Sequence, residues 1–224
     1  MPVFDGIANE LPMDLEVEVA DGARPEVTVS CDENLLPYIH TRLDGTVLRF
    51  ETDDFVAITP LAPCHATVRT SRLVEVACSG SGIVAARGAL DGLRRLRSSG
   101  SGGVSLLDPF TSDRLDIAQS GSGEVIVAGL EGRALDVDSS SSGVVELNGG
   151  RVSEAHIDIS GLGLVLATPL EVESAVVRSS GSGRVELTVL DYLHATLSGS
   201  GDVIVEGDPE VHDRASGSGR VIVR

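Results

Sequence analysis

The run Ser120-Gly121-Ser122-Gly123-Glu124-Val125-Ile126-Val127 decides the fold, because the chain repeats it. Copies or near copies begin at Ser79, Ser99, Ser120, Ser140, Ser160, Ser180, Ser198 and Ser216, at spacings of 20, 21, 20, 20, 20, 18 and 18 residues. A period near twenty with strand-like residues predicts a β-solenoid, in which each coil buries its apolar face only by stacking on its neighbours. Five positions into each copy stand Val84, Val104, Val125, Val145, Val165, Val185, Val203 and Val221. Two positions further on are Ala86, Leu106, Val127, Leu147, Ala167, Leu187, Val205 and Val223. Aliphatics at a period of two mark the inward face of a strand. The strand entering the corner has its own inward column, three residues upstream: Val76, Leu96, Ile117, Val137, Ile157, Val177, Ala195 and Asp213.

Each coil therefore reads strand, corner, strand, then a looser turn such as Asp91-Gly92 or Glu131-Gly132. The last corner glycines are Gly82, Gly102, Gly123, Gly143, Gly163, Gly183, Gly201 and Gly219. They persist even in Ser140-Ser141-Ser142-Gly143 and Ser160-Gly161-Leu162-Gly163, so the final glycine is the stricter requirement. Two roles are expected of the corner: glycine takes backbone conformations closed to other residues, and serine hydroxyls satisfy turn groups. A phosphate cradle is excluded, because such a loop leads into a helix whose amides face the anion. Every corner here leads into a strand, which makes it a stacking device.

The fold class expected is all-β, a solenoid of about eight coils over residues 73–224 with an irregular β segment over 1–72 covering its first coil. In that segment Leu15-Glu16-Val17-Glu18-Val19 and Glu26-Val27-Thr28-Val29 alternate as strands. Asp44-Gly45 between Tyr38-Ile39-His40 and Val47-Leu48-Arg49-Phe50 reads as a hairpin. Pro60 and Pro63 mark a break before Ala66-Thr67-Val68-Arg69.

Hydrophobic residues make up 42% of the chain but aromatics only 3%, so the core is aliphatic. The formal charge is −17 and all seventeen basic residues are arginine. That balance excludes general nucleic-acid binding and docking on anionic lipid, and leaves cations or basic partners open. Cys31, Cys64 and Cys78 show no CxxC spacing and are expected to be buried free thiols. Met1-Pro2-Val3-Phe4-Asp5 lacks the basic and apolar regions of a secretory leader, which points to the cytoplasm for the chain as written. No apolar run reaches the length of a membrane span.

Chemistry is to be sought on the outward columns. Asp116, Asp136 and His156 share one column, and Asp138 and Asp158 share the column two residues along. His194 and His212 occupy adjacent coils of the first column. Carboxylates and imidazoles at strand spacing are candidate divalent-metal ligands; the alternative is a solvated acidic face. A paired-imidazole site at His194 and His212 would bind metal or sense pH. A calcium β-roll is excluded, because it needs aspartate soon after the second glycine and a nonapeptide period. Serine catalysis lacks its Gly-x-Ser-x-Gly elbow between strand and helix. No cofactor is implied. Outward Ile126, Leu166, Ile204 and Ile222 suggest a subunit contact, as does the strand edge at Val221-Ile222-Val223. A homo-oligomer is accordingly expected.

The sequence resembles the bacterial head GIN domain family of auto-transporter adhesins. The likeness rests on Phe4-Asp5-Gly6-Ile7, on Val27-Thr28-Val29-Ser30-Cys31-Asp32-Glu33-Asn34-Leu35, on Asp44-Gly45-Thr46-Val47-Leu48 and on the Ser-Gly-Ser-Gly coils. It implies a right-handed β-helix-like fold, a place in the cell envelope and no established catalytic residue. The function expected is thus a non-enzymatic structural, adhesive or protein-interaction module. The alternatives are a carbohydrate-active β-helix using the Asp116–Asp158 face and a metal or small-ligand sensor using the same ladder. Scarce aromatic sugar platforms weigh against the first alternative.

Overall fold

The computed structural model describes residues 3–53, 58, 63–140 and 142–224. It is an all-β solenoid whose eight corners stack in register. The inward valines form one continuous parallel ladder, Val84 to Val104 to Val125 to Val145 to Val165 to Val185 to Val203 to Val221. All but the last are fully buried. The strands entering the corners stack likewise, through Val76, Leu96, Ile117, Val137, Ile157, Val177 and Ala195. One apolar cluster runs from Phe4 to Val205. Later coils add a third strand segment, so that Leu164–Ser179 and Arg184–Leu197 each pass round several faces as one strand.

The corner glycines are required for a reason other than the one expected from sequence. None of those described has a left-handed φ. What forbids a side chain is the coil before: a Cβ on Gly102 would sit on the carbonyl oxygen of Gly82, and one on Gly123 on that of Gly102. The first glycine of the corner is equally confined, Gly100 by Gly80 and Gly199 by Gly181. Backbone bonds between corners explain the closeness. Gly102 N donates to Gly80 O at 3.1 Å, and Ser200 N donates to Gly181 O at 3.0 Å. Satisfying turn amides from the neighbouring coil draws the two backbones together and leaves no room for a methyl group. The serine that replaces the first glycine, Ser141, lies outside the described residues.

The N-terminal segment covers the first corner coil by adding coils of its own. Gly6–Asn9 pairs in parallel with Glu75–Cys78 on one side and Val47–Thr52 on the other. Asp14–Val19 pairs in parallel with Ile83–Gly88 and with His65–Thr70. Residues 6–19 thus form a coil held between two others, although they come first in the chain. Their corner, residues 10–13, receives the first Ser-Gly corner, with Ser79 N donating to Asn9 O at 2.9 Å. That corner, Glu10-Leu11-Pro12-Met13, carries no glycine. Outermost are two antiparallel strands, Glu26–Ser30 on His65–Thr70 and Ile39–Asp44 on Val47–Thr52. The second pair is the Asp44-Gly45 hairpin, with Gly45 at φ 62°. Of the break at Pro60 and Pro63, Pro60 lies outside the described residues.

Two of the three cysteines are not free thiols. Cys31 and Cys64 form a disulfide across 33 residues of sequence. The antiparallel register makes the pair: Ser30 lies opposite His65, so the residues just outside them face each other. Nothing in their spacing announces this, since the register is a tertiary fact. Closing a loop of that size stabilises the folded chain by about 4 kcal/mol in the chain-entropy account. Cys78 is free and buried. Burial pushes its thiol up from the ordinary range, against a smaller lowering by the Gly80 backbone. In guanidinium without reductant, Ellman's reagent should therefore count one thiol per chain, and three after reduction. In the native chain at neutral pH Cys78 should react slowly. Three thiols before reduction would contradict the bridge.

Candidate functional site

The face formed by the strands entering the corners carries the predicted polar columns. Asp116 pairs with Asp136 and Asp136 with His156, then the column continues through Val176 to His194 and His212. Asp138 pairs with Asp158 in the second column, which continues to Arg178 and Thr196. The structure therefore brings Asp116, Asp136 and His156 together, and Asp138 and Asp158 together. His194 and His212 are neighbours, separated from His156 by the coil of Val176.

Arginines answer the acids. Arg114, two residues before Asp116 in the same strand, donates from Nε to Asp116 Oδ1 at 2.9 Å and sets Nη2 2.9 Å from Asp136 Oδ2. The hydrogen bond to Asp116, then the charge of Asp136, hold this guanidinium above its already high ordinary pKa. Arg178 lies 3.6 Å from Asp158, and Arg95 and Arg97 lie 3.3 and 3.6 Å from Glu75. Stacked carboxylates repel, and a cation between coils removes the repulsion; each exposed pair contributes about 0–1 kcal/mol. Among the described residues no group of three or more His, Cys, Asp or Glu side chains is placed to hold a metal ion. His212 Nε2 is instead 2.8 Å from Glu210 Oε1, and its ring stands 5.4 Å from that of Tyr192.

Sequence reading missed a column beneath this face. The residue just before the corner points inward in all coils but the last: Asn9, Cys78, Ser98, Gln119, Ser139 and Ser179 are buried, as are the apolar Ile159 and Leu197, whereas Ala215 is exposed. Asn9 Nδ2 donates to Met13 O at 2.7 Å, Cys78 Sγ to Gly82 O at 3.1 Å, and Gln119 Nε2 to Gly123 O at 2.7 Å. These three reach the carbonyl four residues on and tie their corners from inside. The signal was available, since polar or small residues recur immediately before the serine. It is structural, and leaves function to the outer faces.

The strands leaving the corners present a different outer surface. Val144 stands beside Leu164, and Glu146 beside Leu166; Glu124 and Ile126 precede them, and Arg184 and Glu186 follow. Leu162, the one corner residue at its position that is not serine, is 66% exposed. The expected row Ile126, Leu166, Ile204 and Ile222 is interrupted by Glu146 and Glu186, and the aliphatics gather around Leu164 instead.

Residues 4–209 match the family described as "Putative auto-transporter adhesin, head GIN domain". The chain belongs to that family. Solved structures agree on the head GIN fold. A crystal structure described as a putative adhesin from Parabacteroides merdae has a TM-score of 0.93 at 24% identity, covering 100% of this chain and 93% of that one. One described as a putative lipid binding protein from Parabacteroides distasonis has a TM-score of 0.92 at 25% identity, covering 100% and 94%. A putative adhesin from Bacteroides fragilis is more distant, with a TM-score of 0.74 at 18% identity and coverage of 100% and 94%. No curated protein matches the chain. No helix among the described residues is long and apolar enough to cross a membrane.

Proposed function

We propose that this head GIN chain is a non-catalytic adhesive module that holds a cationic partner on the outer faces of its coils. The observation that carries the reading is the extent of the family match, residues 4–209, which spans the coil stack itself rather than an appendage to it. An adhesive property of the family then belongs to the faces of the stack. The charge of −17 selects the partner's sign, favouring encounter with basic surfaces and opposing close approach of a second copy. The Cys31–Cys64 bridge supports action in an oxidising compartment, where such bonds persist.

Latex beads coated with the chain should attach to a surface of a basic protein several-fold more than beads coated with poly-L-glutamate at equal charge density. Attachment should weaken as salt rises, while leaving a remainder that the polyanion control lacks. Attachment no greater than the poly-L-glutamate beads would remove the adhesive reading.

A further inference from the structure

The two outer faces differ in how their charges are met. On the face entering the corners, Asp116, Asp136 and Asp158 have arginine partners. On the face leaving them, Glu124 and Glu146 have no ion pair among the described residues, while Glu186 is met by Arg184 at 3.6 Å. Val144 lies beside Glu124, and Ile126 and Leu166 flank Glu146; Leu164 is the next residue along from Val144, and exposed Leu162 stands two residues before Leu164. The repeat has departed from its own pattern to make this patch, since seven corners carry serine where Leu162 stands. A shallow groove adjoins it, running from Ile83 past Gly103 and Ser105 to Glu124 and Val144. Gly103 floors the groove because a Cβ there would strike the carbonyl oxygen of Glu124.

We infer that this face is the docking surface, and that its occupant is an extended polypeptide segment that carries basic and aliphatic side chains in turn along one of its faces, at every second residue. The inference rests on the adhesive reading and names its site and partner chemistry. Charge complementarity selects the occupant. Glu124 and Glu146 accept cationic heads, while the aliphatic cluster takes the apolar side chains between them. A bare polycation would leave Leu162 and Leu164 in water. A second copy brings its own unpaired glutamates to the same place. An anionic lipid surface is repelled by the whole chain.

The test uses the full chain and a synthetic dodecapeptide of the repeat Arg-Ser-Leu-Ser, which sets arginine and leucine on one face of an extended strand; in the arginine–serine control serine replaces leucine, and in the glutamate–leucine control glutamate replaces arginine. The arginine–leucine peptide should bind at least fivefold more tightly than either control. L162S should remove most of that advantage, and it carries no folding risk of note because serine is the residue of the other corners. E124Q with E146Q should flatten the salt dependence. L164S serves as a second apolar variant, with its melting curve recorded beside its binding.

Equal binding of the arginine–serine peptide, or no effect of L162S, overturns the inference. So does capture of phosphatidylcholine vesicles that L162S abolishes while the peptide fails to bind, which would make lipid the occupant. A concentration-dependent dimer lost on L162S would assign the face to a second copy and overturn it too. If coated beads adhere to the basic protein and L162S leaves them unchanged, this site fails while the adhesive reading stands.

Discussion

Gly123→Ala should destabilise the chain by about 3 kcal/mol, the upper end of the cost of overpacking. For a domain of this size that lowers the melting temperature by roughly 6–12 °C. The added methyl group has nowhere to go, because its nearest neighbour is the backbone oxygen of Gly102 and not the end of a flexible side chain. Relief requires the two coils to part, which breaks the ladder on both sides of the corner. Ser122→Ala, one residue away and exposed, should change stability by less than about 0.5 kcal/mol. A differential scanning experiment on both variants checks the contrast. Equal and small effects would mean that the corners do not stack as closely as described.

Asn9→Ala should cost about 3 kcal/mol, although the residue belongs to a corner that has no Ser-Gly element of its own. Its amide spans the corner of the inserted coil, donating to Met13 O at 2.7 Å and accepting from Leu11 N at 3.1 Å. Alanine leaves both backbone groups buried without that partner, at about 1–3 kcal/mol each. The exposed Asn148→Ala should be nearly neutral. Urea unfolding of the two variants measures the difference. A neutral Asn9→Ala would argue that residues 6–19 are loosely attached rather than held inside the stack.

The repeat half of the molecule was legible because its information is local. Val125 and Val127 alternate within one strand, and the same alternation recurs a coil later, so period and register could be read together. What was not legible depends on pairings between distant segments. The position of Gly6–Asn9 between Val47–Thr52 and Glu75–Cys78 leaves no periodic trace, because each coil in that region has its own corner. The Cys31–Cys64 bridge is hidden for the same reason, since only the antiparallel register of Ser30 and His65 brings the two sulfurs together. On the outer faces, the columns of Asp116, Asp136 and His156 were readable, but Arg114 was not counted among them. It sits two residues before Asp116 in the same strand, in a column where the next coil has Ala134, and reaches both acids.

The first coil in sequence, residues 6–19, lies third from the end of the stack, inside the outermost antiparallel strands and the coil of Val47–Thr52 and His65–Thr70. Amide hydrogen exchange resolved to single residues tests this most directly. With both edges paired, the inner amides of residues 7–9 and 15–19 should exchange as slowly as those of Val125–Val127 in the middle of the solenoid. Exchange there as fast as in the outermost strand, Ile39–Asp44, would place the segment at an edge and contradict the structure.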